Sequence, residues 1–226
     1  MKKHLLPSLE YAHDALEPCI DARTLRLHHD VHHRAYVDGL NAALENLPGL
    51  QERTALWLLC HLDEVPEESR LEVRHSAGGH VNHSLFWRCM QPAQAGGPRA
   101  PSGALLDAID RDFGGLPEMK ACFEEAGTKL FGSGWVWLAR DRQDAGRLSV
   151  LTTSGHDNPA MHGSFPVLLN DVWEHAYYLG HENRRSEYLK AWWPAVDWEE
   201  AGRRFGVSGH DQEEVWEGEG GQLLVS

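Results

Sequence analysis

The chain has 226 residues, enough for one domain or two modest ones with a core that needs no disulfide or zinc staple. Its composition, 42% hydrophobic and 24% charged, is that of an ordinary globular protein, and a formal net charge of -13 excludes nonspecific binding to nucleic acid or to an anionic membrane. Nine Trp and fifteen His are unusual: the first points to a dense interior, the second to metal or proton chemistry, because neutral imidazole is the commonest metal ligand.

Residues 1–18 read as irregular and Pro-bounded. Two lysines open the chain but no apolar signal run follows them, and no stretch is long and apolar enough to span a membrane. Cys19, Cys60, Cys89 and Cys122 are widely spaced and form no CxxC pair, which fits reduced thiols in a cytoplasmic protein. From Asp21 to about Leu47, apolar and His positions recur at helical spacing (Leu25, His28, His32, Tyr36, Leu40, Leu44), with Asp21 as N-cap and Pro48–Gly49 as the stop. Further helices are expected over 51–62 and 66–90, the latter containing Gly78 and Gly79. "QPAQAGGPRAP", 91–101, reads as a linker, and helices over 102–112 and 117–130 follow, separated by Gly114–Gly115.

The period then changes. "WVWLARD" (135–141), "RLSVLTTS" (147–154) and "FPVLLNDVW" (165–173) are short β-prone runs, the first two close enough for an antiparallel hairpin. A last helix is expected from about Ala176 to Trp192, and the Gly- and Glu-rich segment after Gly206 reads as disordered. This order, helices first and then helices with a small sheet, is an α+β arrangement.

Three segments carry candidate chemistry. In "LHHDVHHRAY" (27–36), His28, His32 and Tyr36 share one helix face, as metal ligand and partners or as a solvated polar side. In "AGGHVNHSLFW" (77–87), His80 and His83 are three apart, as ligands or as satisfied core residues. In "NDVWEHAYY" (170–178), Asp171 follows an apolar strand and His175 lies four residues on; either both are ligands on a rigid strand end, or Asp171 caps the next helix. Together, neutral imidazoles and one carboxylate suit iron or manganese, and the absence of Cys argues against structural zinc. Arg184–Arg185 is either a local positive field for an anionic substrate or a solvated helix face.

"HHDVHHRAY", "AGGHVNHSLFW", "FGSGWVWL" and "DVWEHAYYLGHENRRSEYL", in this order and at these spacings, closely resemble the iron/manganese superoxide dismutase family from residue 4 to about 205. The resemblance implies an N-terminal helical hairpin domain over 1–92, then an α/β domain over 93–206 with a small three-stranded antiparallel sheet, and leaves 207–226 as an acidic tail. It implies an oxidoreductase that converts superoxide to dioxygen and hydrogen peroxide with one manganese or iron ion per subunit, or either in turn. A homodimer, or a dimer of dimers, is implied as well.

Carried over by position, the resemblance makes His28, His83, Asp171 and His175 the metal ligands. His32 and Tyr36 match the mouth of the substrate channel, Trp135 and Trp173 wall the pocket with Trp137 nearby, and Arg184 is a positive residue at the channel mouth. Glu174 and Tyr178 match residues that reach across the dimer interface. A solvent-bonding glutamine usual in the family is missing. Its place on the helix is Gly79, and its alternative place, in the loop after the second strand, is His156, which implies manganese or either metal rather than iron alone. Val31 stands where many relatives carry lysine, which weakens steering of an anion. Competing readings are a non-haem iron oxygenase, which needs two histidines, one carboxylate and open positions, and a non-catalytic metal-binding or interaction protein.

Overall fold

A computed structural model describes residues 3–92, 100–141, 144, 146–207 and 223–224. Helix α1 (Ala22–Leu27) begins at the expected cap: Asp21 Oδ1 accepts the Thr24 N–H at 2.9 Å. Helical backbone continues through a π-helical turn, His28–His33, into α2 (Arg34–Ala43). The helix ends at Ala43, not at about Leu47, because Gln51 Nε2 donates to the Leu44 and Glu45 carbonyls at 2.8 and 3.0 Å and satisfies them outside the helix. The helix expected over 51–62 is the shorter α3 (Ala55–Cys60), capped by Thr54, followed by a 3₁₀ turn, Leu62–Glu64. Helix α4 (Glu67–Arg88) runs unbroken through Gly78 and Gly79. Leu40 and Leu44 from the end of α2, Leu56 and Leu59 from α3, and Val73, Ala77 and Val81 from α4 share one apolar core.

In the second half, α5 (Gly103–Phe113) stops at Gly114, whose φ of 87° is left-handed and suits glycine. Helix α6 (Leu116–Lys129) leads into β2 (Gly134–Asp141), β3 (Leu148–Ser154) and β4 (Ser164–Asp171); a two-residue β1 (Lys3–His4) precedes them all. The sheet order is β3-β2-β4 with both pairings antiparallel, so the expected α+β fold with its three-stranded antiparallel sheet is present. Central strand β2 is buried from Gly134 to Ala139, so both faces are covered. On one face Val136 packs against Gly127 of α6 and Leu189, so closely that a methyl on Gly127 would meet Leu189 at 3.0 Å and Val136 at 3.2 Å. The other face carries Trp135 and Trp137, because strand side chains alternate.

The helix expected from Ala176 to Trp192 is three pieces: a 3₁₀ turn Glu174–Ala176, α7 (Tyr178–His181) and α8 (Arg185–Trp192). The break falls at Glu182, whose φ is 51°. Arg185 holds the bend: its guanidinium donates to the carbonyls of Leu130 at 2.6 Å and Gly132 at 2.8 Å, and to the Tyr177 hydroxyl at 3.2 Å. A further helix, α9 (Trp198–Gly206), has no counterpart among the expected elements, although Asp197 caps it by accepting the Glu200 N–H at 2.9 Å.

Residues 93–99 of the expected linker lie outside the described residues, as do 208–222 and 225–226 of the expected tail. Leu223–Leu224 (β5) pairs antiparallel with β1. Among the described residues no helix is long and apolar enough to cross a membrane.

Candidate metal centre

Four elements converge on one carboxylate oxygen. His28 opens the π-helical turn, His83 lies on α4, Asp171 ends β4 directly opposite Trp135 of β2, and His175 sits in the following 3₁₀ turn. Asp171 Oδ2 is 3.0 Å from His28 Nε2, 3.2 Å from His175 Nε2 and 3.7 Å from His83 Nε2. One ligand atom from each residue lies within 4.8 Å of all the others. Asp171 Oδ1 accepts the Trp173 N–H at 2.8 Å, which fixes the carboxylate and leaves Oδ2 to the histidines.

His83 Nδ1 donates to the Gly79 carbonyl at 2.6 Å, so Nε2 carries the lone pair, and Nε2 is buried with no hydrogen-bond partner among the described residues. A backbone carbonyl that fixes the tautomer in this way is the usual support of a metal-bound histidine. Asp171, His28 and His83 are buried, and a buried carboxylate needs a compensating cation. Burial alone would raise the Asp171 carboxyl; the His175 and His28 imidazoles outweigh it and hold the group well below the ordinary carboxylate range. Burial lowers His28 to about 4 and drives His83 well below the usual imidazole range, so both rings stay neutral and their lone pairs remain free for a cation. Three imidazoles and one carboxylate fit a first-row transition metal.

His156 stands beside this centre. Its Nδ1 accepts the Trp135 indole N–H at 3.2 Å, so Nε2 carries the ring proton, and Nε2 is buried without a partner among the described residues. The ring stacks on Trp173, centroids 4.6 Å apart and planes 7° apart, and meets the Tyr36 ring edge-on at 4.4 Å. Burial lowers His156 to about 3, against the attraction of Asp171. The loop that carries it is pinned from three sides. Asn82 Nδ2 donates to the His156 carbonyl at 3.1 Å, Asn158 Nδ2 donates to Asn82 Oδ1 at 2.8 Å, and Arg74 grips Asp157 with two bonds of 2.7 and 2.5 Å.

The glycines of α4 explain the crowding. A Cβ on Gly78 would meet the His156 carbonyl oxygen at 2.2 Å, and one on Gly79 would meet the Tyr36 ring at 2.4 Å. Any side chain at position 79 therefore displaces Tyr36, and the helix supplies no donor to the pocket from that position.

Trp135 and Trp137 are fully buried, and Trp135 lies edge-on to His83 at 5.0 Å. Trp173 is partly buried and donates to the Gly155 carbonyl at 3.1 Å. The half-buried His32 ring stacks on His175 at 4.4 Å. Burial, with the charge of Asp171, pushes the Tyr36 hydroxyl up to about 12. Glu174 and Tyr178 are exposed on the isolated chain. Arg184 is exposed and engaged by two carboxylates, Glu182 at 3.0 Å and Glu187 at 2.9 Å. Val31 is exposed. His80 does not join the centre: its Nδ1 pairs with His33 Nε2 at 2.8 Å.

Sequence reasoning alone missed the supports behind the site, Asn82, Asn158 and Arg74, and also Tyr188, whose hydroxyl donates to Asn170 Oδ1 at 2.7 Å beneath Asp171. Asn82 lies between the two singled-out histidines of α4, but its partners are 74 and 76 residues away.

Residues 3–91 match the family described as iron/manganese superoxide dismutases, alpha-hairpin domain, and residues 101–204 match its C-terminal domain. A protein named superoxide dismutase [Mn] 3 from Leptolyngbya boryana is 47% identical over 207 residues, 92% of this chain and 84% of that protein. Superoxide dismutase [Mn] of Thermus aquaticus is 49% identical over 196 residues, 87% of this chain and 94% of its own. The namesake from Haemophilus ducreyi is 47% identical over 206 residues, 88% and 93% respectively. Both halves match in order and the full-length relatives match through each of them, so this chain belongs to the iron/manganese superoxide dismutase family.

Proposed function

We propose that His28, His83, Asp171 and His175 hold one manganese ion per subunit, and that the protein disproportionates superoxide there. The observation that carries this reading is the partnerless, buried Nε2 of His83 beside an Asp171 oxygen that two further imidazole Nε2 atoms already approach at 3.0 and 3.2 Å. A manganese ion held there would supply one-electron redox chemistry between its 3+ and 2+ states, which is what the conversion of two superoxide anions and two protons to dioxygen and hydrogen peroxide requires. A fourth protein donor disfavours the oxygenase alternative, which needs open positions.

The remaining residues manage protons, water and charge. Among the described residues His156 Nε2–H has no acceptor, and it is left to donate to solvent or substrate in the pocket. Tyr36, with its hydroxyl pushed up to about 12, keeps its proton through the neutral range and orders water for protonation together with His32. Trp135 and Trp173 exclude bulk water and competing ligands. Arg184 steers the anion weakly, since Glu182 and Glu187 offset its charge. Manganese, with tolerance of iron, is favoured because the pocket donor comes from the loop at His156 and not from position 79, and because relatives across the chain carry manganese in their names.

We further read the chain as an N-terminal unit over 1–92 and a second over 93–206, working as a cytoplasmic homodimer. Exposed Glu174 and Tyr178, next to Leu179 at 50% exposure, form the self-associating surface in this reading. Dimers pair further only if a second surface serves.

The test is metal content and dismutation rate on one purified sample reconstituted separately with manganese and with iron. Activity with manganese, and less with iron, is the expected result. Activity with iron alone overturns the choice of metal, and activity with neither overturns the site.

A further inference from the structure

A second cluster of ligand-type side chains joins the same π-helical turn to the segment before α1 and uses no residue of the centre above. His13, His29 and Asp30 bring two ring nitrogens and a carboxylate oxygen within 4.8 Å of one another. His29 Nδ1 is 2.7 Å from Asp30 Oδ1, and His13 Nε2 is 3.3 Å from Asp30 Oδ2, so one carboxylate has an imidazole at each oxygen.

His29 is held between two acceptors. Its Nε2 lies 2.8 Å from the Pro7 carbonyl oxygen, which can only accept. Its Nδ1 faces a second acceptor, the Asp30 carboxylate. Nε2 therefore carries a proton, and Nδ1 is the atom that a metal ion shared with Asp30 would take. Donation to a backbone carbonyl through the far nitrogen is also the arrangement that orients metal-bound histidines. His13 adds a third ligand atom: its Nε2 is buried and faces Asp30 Oδ2 at 3.3 Å.

We propose that His13, His29 and Asp30 form a second metal site, for a divalent cation of the zinc class. Two imidazoles and a carboxylate are a three-ligand set that leaves one position to solvent. The Asp30 and His13 side chains are 43% and 33% exposed, which gives an ion a route in, and the net charge of -13 concentrates cations around the chain. His13 lies in the irregular segment before α1 and its two partners lie on the π-helical turn, so the ion clips that segment to the helix that carries His28.

The experiment adds zinc to the manganese-loaded full chain, passes it through gel filtration and counts both metals. Cobalt(II) serves as an optical probe of four-coordinate geometry. Wild type is expected to retain one more equivalent of zinc than H13Q or D30N, with manganese content and dismutation rate equal in all three. The visible cobalt band falls with either substitution. Equal zinc retention in wild type and both variants overturns the site. Counting manganese separately distinguishes this outcome from zinc exchange at the redox centre.

Discussion

The same two helical segments each contribute a histidine to two different clusters, and the clusters differ in kind. The π-helical turn supplies His28 to the centre and His33 to a neighbouring group; α4 supplies His83 to the centre and His80 to that group. His33 and His80 satisfy each other: Nε2 and Nδ1 are 2.8 Å apart, and the Trp87 indole donates to His33 Nδ1 at 3.0 Å. His28 and His83 meet Asp171 from β4 instead. Residue type and helical spacing are alike in both clusters. A carboxylate brought by the sheet turns one of them into a ligand set, while the other remains a hydrogen-bonded core.

The sharpest way to break this contrast is to remove the carboxylate. Asp171→Asn is expected to lose bound metal and to lower dismutation by more than about 100-fold, beyond the range of a supporting residue. Full metal content in that variant, measured by elemental analysis, would return the centre to the class of the His33–His80 pair. A smaller change tests the donor beside it. His156→Gln should keep the metal and alter the rate by about 10- to 100-fold, with a changed ratio of manganese to iron activity. An unaltered ratio would mean that His156 does not tune the ion.

The other cluster is expected to respond through stability. His80→Ala leaves His33 Nε2 with only the Ser84 hydroxyl at 3.5 Å and should cost about 1–3 kcal/mol in denaturant unfolding, with metal content unchanged. Loss of metal would show that the two groups act as one. A further test concerns pH. Burial lowers His4 to about 4 and His80 to about 3, from 6.5. The unfolded chain therefore takes up these protons near pH 6.5 and the folded chain does not until about pH 3–4. Stability rises with pH across that window and is lost as pH falls through it, by up to about 1.4 kcal/mol per pH unit for each histidine. His4→Phe, at a ring whose nitrogens have no hydrogen-bond partner, is expected to flatten the slope by about that amount. An unchanged slope would rule out His4 as a contributor.

Much of this was legible in the residues. The Asp21 cap, the Gly114 stop and the β2–β3 hairpin follow from local rules, because each depends on a few neighbouring residues. The motifs around His28, His83, Asp171 and His175 were also legible, as separate half-sites. The break at Glu182 was not, since helical periodicity runs across it while Arg185 ties the bend to carbonyls more than fifty residues earlier. Helix α9 was overlooked although its Asp197 cap lay in the sequence.

By itself the sequence determined the order of elements, the donor types and the net charge, all of them set by composition and by contacts within a turn or two of the chain. The tertiary structure decided which histidines share Asp171, that Tyr36 closes position 79, and that His13 comes to face Asp30. Those outcomes depend on where helix and strand surfaces meet, and close packing between distant segments fixes that meeting to fractions of an ångström.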